Sequence, residues 1–126
     1  MSLYRTGLSS RLRSRHYLPQ ASSREQKEHS HDYLVEVTVA GRELDGKGYL
    51  IDIDELKAAL SVVLERYEGR CLNELPEFHV LPPSLENLSR EVHDRLRDRL
   101  GNPSVSISVK IWEDQAAWAD YEGAPA

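Results

Sequence analysis

Two histidines one residue apart, His29 and His31, stand at the head of the most regular extended run in a chain of 126 residues. Side chains alternate between the faces of a strand, so both imidazoles point to one side of the backbone. A third imidazole, His16, arrives from an earlier extended segment. Three nitrogens would hold a metal and leave a fourth position open, which is the layout of a catalytic rather than a structural zinc site. A His-x-His pair alone is a common pattern, and three surface histidines without a metal is the other reading of the same residues.

The elements that must carry these groups are legible from periodicity. Tyr4 to Leu18 alternates as a long strand, with Arg11, Arg13 and Arg15 on one face and Leu12 and His16 on the other. Pro19 to Glu28 is polar and irregular, a loop. From His31 to Ala40, Tyr33, Val35, Val37 and Val39 alternate with Asp32, Glu36 and Thr38, and His31 extends the apolar face. Asp45-Gly46 marks a turn, and Tyr49 to Ile51 a short extended piece. Asp52 or Asp54 caps a helix reaching about Tyr67, with Gly69 just past its end. Arg70 to Pro83 reads as a loop. Ser84 caps a second helix, whose stripe is Leu85, Leu88, Val92, Leu96 and Leu100. Val105, Ile107, Val109 and Ile111 form an amphipathic strand, and Glu113 to Tyr121 is less regular. The order β-β-α-α-β, with room for one more short strand, predicts an α+β fold in one domain over 1–126, helices packed on one face of an antiparallel sheet. Its long strands leave edges that favour assembly with other copies.

Composition narrows the function. A net charge of −5 argues against a nucleic-acid binder. The single cysteine, Cys71, allows no intrachain disulfide and favours a cytoplasmic protein. No apolar run has the length of a membrane span. The arginine- and serine-rich start has the composition of a transit peptide, but its strand-like alternation and His16 favour a structural segment.

Several stretches together resemble the 6-pyruvoyl tetrahydropterin synthase and 6-carboxytetrahydropterin synthase family. Arg15-His16 followed by His29-Ser30-His31-Asp32-Tyr33 is similar to its lone histidine and His-Gly-His-Asn-Tyr motif. Leu44 to Asp52 resembles its LDxxGMVIDF stretch, Leu72 to Pro76 the loop after the first helix, and Pro83 to Leu88 its PTxENL segment. Val109-Lys110-Ile111-Trp112-Glu113 resembles its strand ending in glutamate. The resemblance implies the T-fold (tunnelling fold) and zinc held by His16, His29 and His31. It implies action on the side chain of 7,8-dihydroneopterin triphosphate, with Glu113 anchoring the pterin's amino-pyrimidine edge and Ser84 and Glu86 lining the pocket. It also implies a homohexamer with sites between subunits. A carboxylate suits the anchor role because it accepts two parallel N–H bonds from a guanidine-like edge.

The chain departs from that pattern in its acid–base residues. Glu25 stands where the family has its catalytic cysteine, and Glu68-Gly69 replace its Asp-His dyad. The standard synthase activity is therefore expected to be absent or weak, leaving a divergent enzyme, lyase or aldolase-like, or a non-catalytic pterin- or purine-like-ligand binder. Glu25 could act as a general base beside a metal-polarised hydroxyl, or be one more charge in a loop with Arg24, Lys27 and Glu28. Asp32 is expected to be solvated, as is His93, and Trp112, Trp118 and Tyr121 to pack. The arginines 11, 13 and 15 could draw a triphosphate tail, against a default role as the wet face of the strand.

Overall fold

The structure, a computed structural model, describes residues 2–21 and 23–123. Among them, strands β1 (Tyr4–His16), β2 (His29–Gly41), β3 (Ser106–Trp112) and β4 (Trp118–Gly123) form one sheet in that spatial order. Every neighbouring pair is antiparallel. Helices α1 (Ser23–Gln26), α2 (Ile53–Glu65) and α3 (Leu85–Leu100) complete the regular structure, with two 3-10 turns at Leu72–Glu74 and Pro76–Phe78.

Alternation sets the layers. Leu12, Tyr33, Val35, Val37, Val39, Ile107, Val109 and Ile111 turn one face of the sheet inward. Leu56, Leu60, Val63 and Leu64 of α2, with Leu88, Val92 and Leu96 of α3, close over it. The helix limits follow local chemistry. The Asp52 carboxylate accepts from Asp54 N at 2.9 Å, and the Ser84 hydroxyl accepts from Asn87 N at 3.2 Å. Gly101, at φ 59°, turns the chain out of α3 in the left-handed conformation that glycine adopts without cost.

Three local expectations change. The segment 49–51 is bent and joins no strand, because the Asp45 carboxylate gathers the N–H groups of Lys47 and Tyr49 at 2.9 and 3.0 Å and closes the turn. The 19–28 loop contains α1, whereas the tail supplies β4, the further short strand for which the sequence left room. His93, expected in solvent, is 5% exposed. Its ring packs edge-on to Tyr121 at 4.8 Å and lies over Gly123, where an added Cβ would come 2.4 Å from Nε2. The hydrophobic stripe of α3 did not reveal this, since β4 covers the helix from beyond its main buried face.

The connection between α2 and α3 is locked by one carboxylate. Glu77 accepts from Arg66 Nε at 2.7 Å and Nη2 at 2.6 Å, from Arg95 Nη2 at 3.2 Å and from the Tyr67 hydroxyl at 3.1 Å. Only 8% of its side chain is exposed. The Arg66 hydrogen bonds hold its pKa down from 4.5 to about 2. The folded state thus binds its proton more weakly than the unfolded chain. That stabilisation is complete above pH 4.5 and is lost as pH falls toward 2. Both arginines remain partly hydrated, so Glu77→Gln is expected to cost about 2 kcal/mol, below the usual range for breaking a buried pair. Urea unfolding at pH 7 measures the loss, and the variant should show a shallower decline in stability between pH 5 and 3 than the parent.

Candidate metal and ligand site

The inward face of β2 continues past its valines as Tyr33, His31 and His29, beyond the cover of the helices. Pairing does the rest. His16 is directly opposite His29, and Ser14 opposite His31, so the three imidazoles are direct and diagonal cross-strand neighbours. Their ring centres lie 4.6 Å (16 to 29), 5.0 Å (16 to 31) and 4.8 Å (29 to 31) apart. One nitrogen from each falls within 4.8 Å of the others.

The rings are oriented by backbone oxygens. His16 Nδ1 donates to the Pro83 carbonyl at 2.8 Å, and His29 Nδ1 to the Lys27 carbonyl at 2.7 Å. A carbonyl can only accept, so Nδ1 carries the proton in both rings and Nε2 presents a lone pair when the ring is neutral. Burial holds the pKa of His16 below its ordinary value against the opposing pull of Pro83, and burial likewise lowers His31. The Nε2 atoms of all three are buried without a hydrogen-bond partner among the described residues. Orphaned polar atoms of this kind are rare in a folded protein. Three of them, converging on one point, fit a metal ion that accepts imidazole nitrogen.

Carboxylates surround this centre. Glu25 Oε2, from α1, lies 3.2 Å from His29 Nε2. Glu113 follows β3, half-buried. Burial first, then the charges of Glu25 and Asp114, push its pKa up. Asp114 accepts from Ala116 N and Ala117 N at 2.7 Å, and Glu113 N donates to the Ala117 carbonyl at 3.0 Å, so a tight turn holds Glu113 at the end of its strand. Ser84 adjoins Pro83, the orienter of His16, and spends its hydroxyl on the α3 cap, while Glu86 in the first turn is exposed.

The remaining sequence candidates fall elsewhere. Arg11, Arg13 and Arg15 project from the opposite face of β1. Arg13 pairs with the exposed Asp32 at 3.4 Å and Arg15 with Glu28 at 3.3 Å. Glu68 and Gly69 border the free edge of β1. The Glu68 carboxylate accepts from Arg13 N at 2.8 Å, and Gly69 N donates to the Arg13 carbonyl at 2.7 Å. Cys71 is buried, and that burial raises its thiol pKa, away from nucleophilic reactivity.

Sequence reasoning missed the two orienting carbonyls and Asn73. The Asn73 amide accepts from Tyr17 N and donates to the Tyr17 carbonyl, both at 2.9 Å. It pairs with the chain one residue beyond His16 as a strand would. No residue type announces a carbonyl's role, and a loop asparagine has many uses. Replacing His29 or His31 by alanine is expected to weaken divalent transition-metal affinity about a hundredfold or more while leaving the circular dichroism of the metal-free protein unchanged. Competition with a chromophoric chelator measures it, and retained affinity would contradict the three-nitrogen site.

The chain matches the sequence model of the 6-pyruvoyl tetrahydropterin synthase family over residues 7–124. It is 34% identical over 97 residues to the 6-pyruvoyl tetrahydrobiopterin synthase of Drosophila melanogaster, an alignment covering 75% of this chain and 58% of the fly protein. This chain thus spans little more than half the length of that relative. It is 28% identical over 114 residues to the 6-carboxy-5,6,7,8-tetrahydropterin synthase of Bacillus subtilis, covering 84% of this chain and 76% of the relative. The 6-pyruvoyl tetrahydropterin synthase structure of Caenorhabditis elegans superposes with a TM-score of 0.82 at 24% identity, covering 98% of both chains, and shares its fold. A match running from within β1 to the end of β4, with the same architecture, places this chain in the 6-pyruvoyl tetrahydropterin synthase family.

Proposed function

We propose that this protein binds a pterin-type ligand, 7,8-dihydroneopterin triphosphate or a relative, at a zinc site made by His16, His29 and His31. The observation that carries the reading is the convergence of three unpartnered Nε2 atoms with Glu25 beside them, in a chain of this family. Zinc, when bound, would polarise the hydroxyls of the ligand side chain.

The chain's own residues divide the work. Pro83 and Lys27 hold His16 and His29 with Nε2 facing the centre. Glu113 accepts the N–H groups of the amino-pyrimidine edge, which offsets the cost of burying its charge. Ser84 and Glu86 border the ligand from the start of α3. Glu25, beside the reacting side chain, takes and returns a proton as a general base. The reaction class is carbon–oxygen elimination or an aldolase-like cleavage of the side chain. The usual synthase reaction is weak or absent, since Glu25 replaces a cysteine and Glu68 is engaged by the backbone of Arg13. The protein works as a cytoplasmic homo-oligomer, a hexamer by analogy with its family.

The second reading is a binder without turnover, favoured by the same engagement of Glu68 and by Gly69 where the family carries a histidine. Incubation with zinc and 7,8-dihydroneopterin triphosphate should yield little pyruvoyl or carboxy product, and efficient formation of either would overturn the proposed divergence. With zinc held saturating, Glu25→Gln should abolish side-chain cleavage while the protein still binds the ligand. Glu113→Gln should weaken pterin binding about thirtyfold or more, the equivalent of about 2 kcal/mol for charge-assisted hydrogen bonds. Wild-type protein that binds the ligand but never turns it over would favour the binder.

A further inference from the structure

The contact between Glu25 and His29 has a geometry that a general base does not require. Glu25 Oε2 is 3.2 Å from His29 Nε2, yet that nitrogen makes no hydrogen bond among the described residues. The oxygen is close enough to bond but lies off the direction in which the ring nitrogen donates or accepts. The nitrogen concerned is the one directed at the metal centre. Its ring partner Nδ1 is already held by Lys27. A carboxylate that merely orients a metal-bound imidazole faces the other nitrogen. Two ligands of one tetrahedral zinc ion, each at about 2.0–2.2 Å, stand about 3.3 Å apart and off each other's lone-pair axes. Glu25 and His29 stand in that relation. Glu113 makes no ion-pair contact with the three rings among the described residues.

We propose that Glu25 is the fourth ligand of the metal in the ligand-free protein, so that the resting centre is three histidines and one carboxylate. The inference rests on the metal-binding reading of the triad and extends it. Backbone anchoring supports it. Leu18 N, two residues beyond His16, donates to the Glu25 carbonyl at 2.7 Å, which ties α1 to the chain just past β1 and so holds Glu25 beside the cluster. The Glu25 side chain is 38% exposed, so it has room to swing aside when a ligand oxygen takes its place. Its role as a base would then begin with its displacement.

Cobalt(II) in place of zinc reports coordination directly through its visible absorption. Wild-type protein should bind cobalt with the intense bands of a tetrahedral site. Glu25→Gln should shift and weaken those bands and lower cobalt affinity about tenfold or more. Glu25→Cys should restore tight binding and add a thiolate-to-cobalt charge-transfer band in the near ultraviolet, a signature that only a residue in the coordination sphere produces. Glu113→Gln should leave spectrum and affinity unchanged. A Glu25→Gln protein with unaltered bands and affinity within twofold, or a spectrum that answers to Glu113 instead, overturns the proposal and leaves the three-histidine site standing. Wild-type protein that takes up neither cobalt nor zinc overturns the metal reading itself.

Discussion

The register between β1 and β2 is the constraint on which the candidate site depends. His16 and His29 are separated by twelve residues of chain and meet because they are paired across two antiparallel strands. A slip of one residue would send the inward set to the opposite face of the sheet. The same pairing that buries Leu12 against Tyr33 and aligns the valines of β2 with the core of α2 and α3 therefore also sets the imidazoles. Hydrophobic burial fixes the register, and the register assembles the polar cluster. The histidines occupy core-facing positions where the helices no longer cover the sheet, which leaves His16 and His31 desolvated enough to favour the neutral ring and the cluster open enough to reach a ligand.

Around that pair, the long connection from α2 to α3 acts as a frame. Glu77 anchors it through Arg66, Arg95 and Tyr67. From it come Asn73, which pairs with Tyr17, and Pro83, whose carbonyl turns the His16 ring. Global stability and local geometry are thus joined through one segment. Glu68 and Gly69 are drawn into the same frame, hydrogen-bonded to Arg13 along the free edge of β1. Residues engaged by backbone are poorly placed to carry protons, which is why the reactive burden in the proposed function falls on Glu25.

Much of this was legible in the residues. Period-two alternation identified β1, β2 and β3, helical spacing and capping residues identified α2 and α3, and the family resemblance named the three histidines that the register brings together. These signals are local, or depend on a pattern repeated along one element. The misses were of another kind. His93 carries no local sign that β4 will cover it, and the segment 49–51 looks extended until Asp45 closes the turn beside it. Glu25 was singled out only through the family resemblance; in the residues themselves it is one charge among several in a polar loop, with no sign of the α1 turn that carries it to His29.

What the sequence determined by itself was which side chains share a face, because alternation and helical period are properties of neighbouring residues. What only the tertiary structure decided was which groups from distant segments meet: the Pro83 carbonyl at His16 and Asn73 at Tyr17. Those meetings depend on how separate elements pack, and on backbone atoms that every residue type possesses alike, so no reading of residue identity alone could assign them.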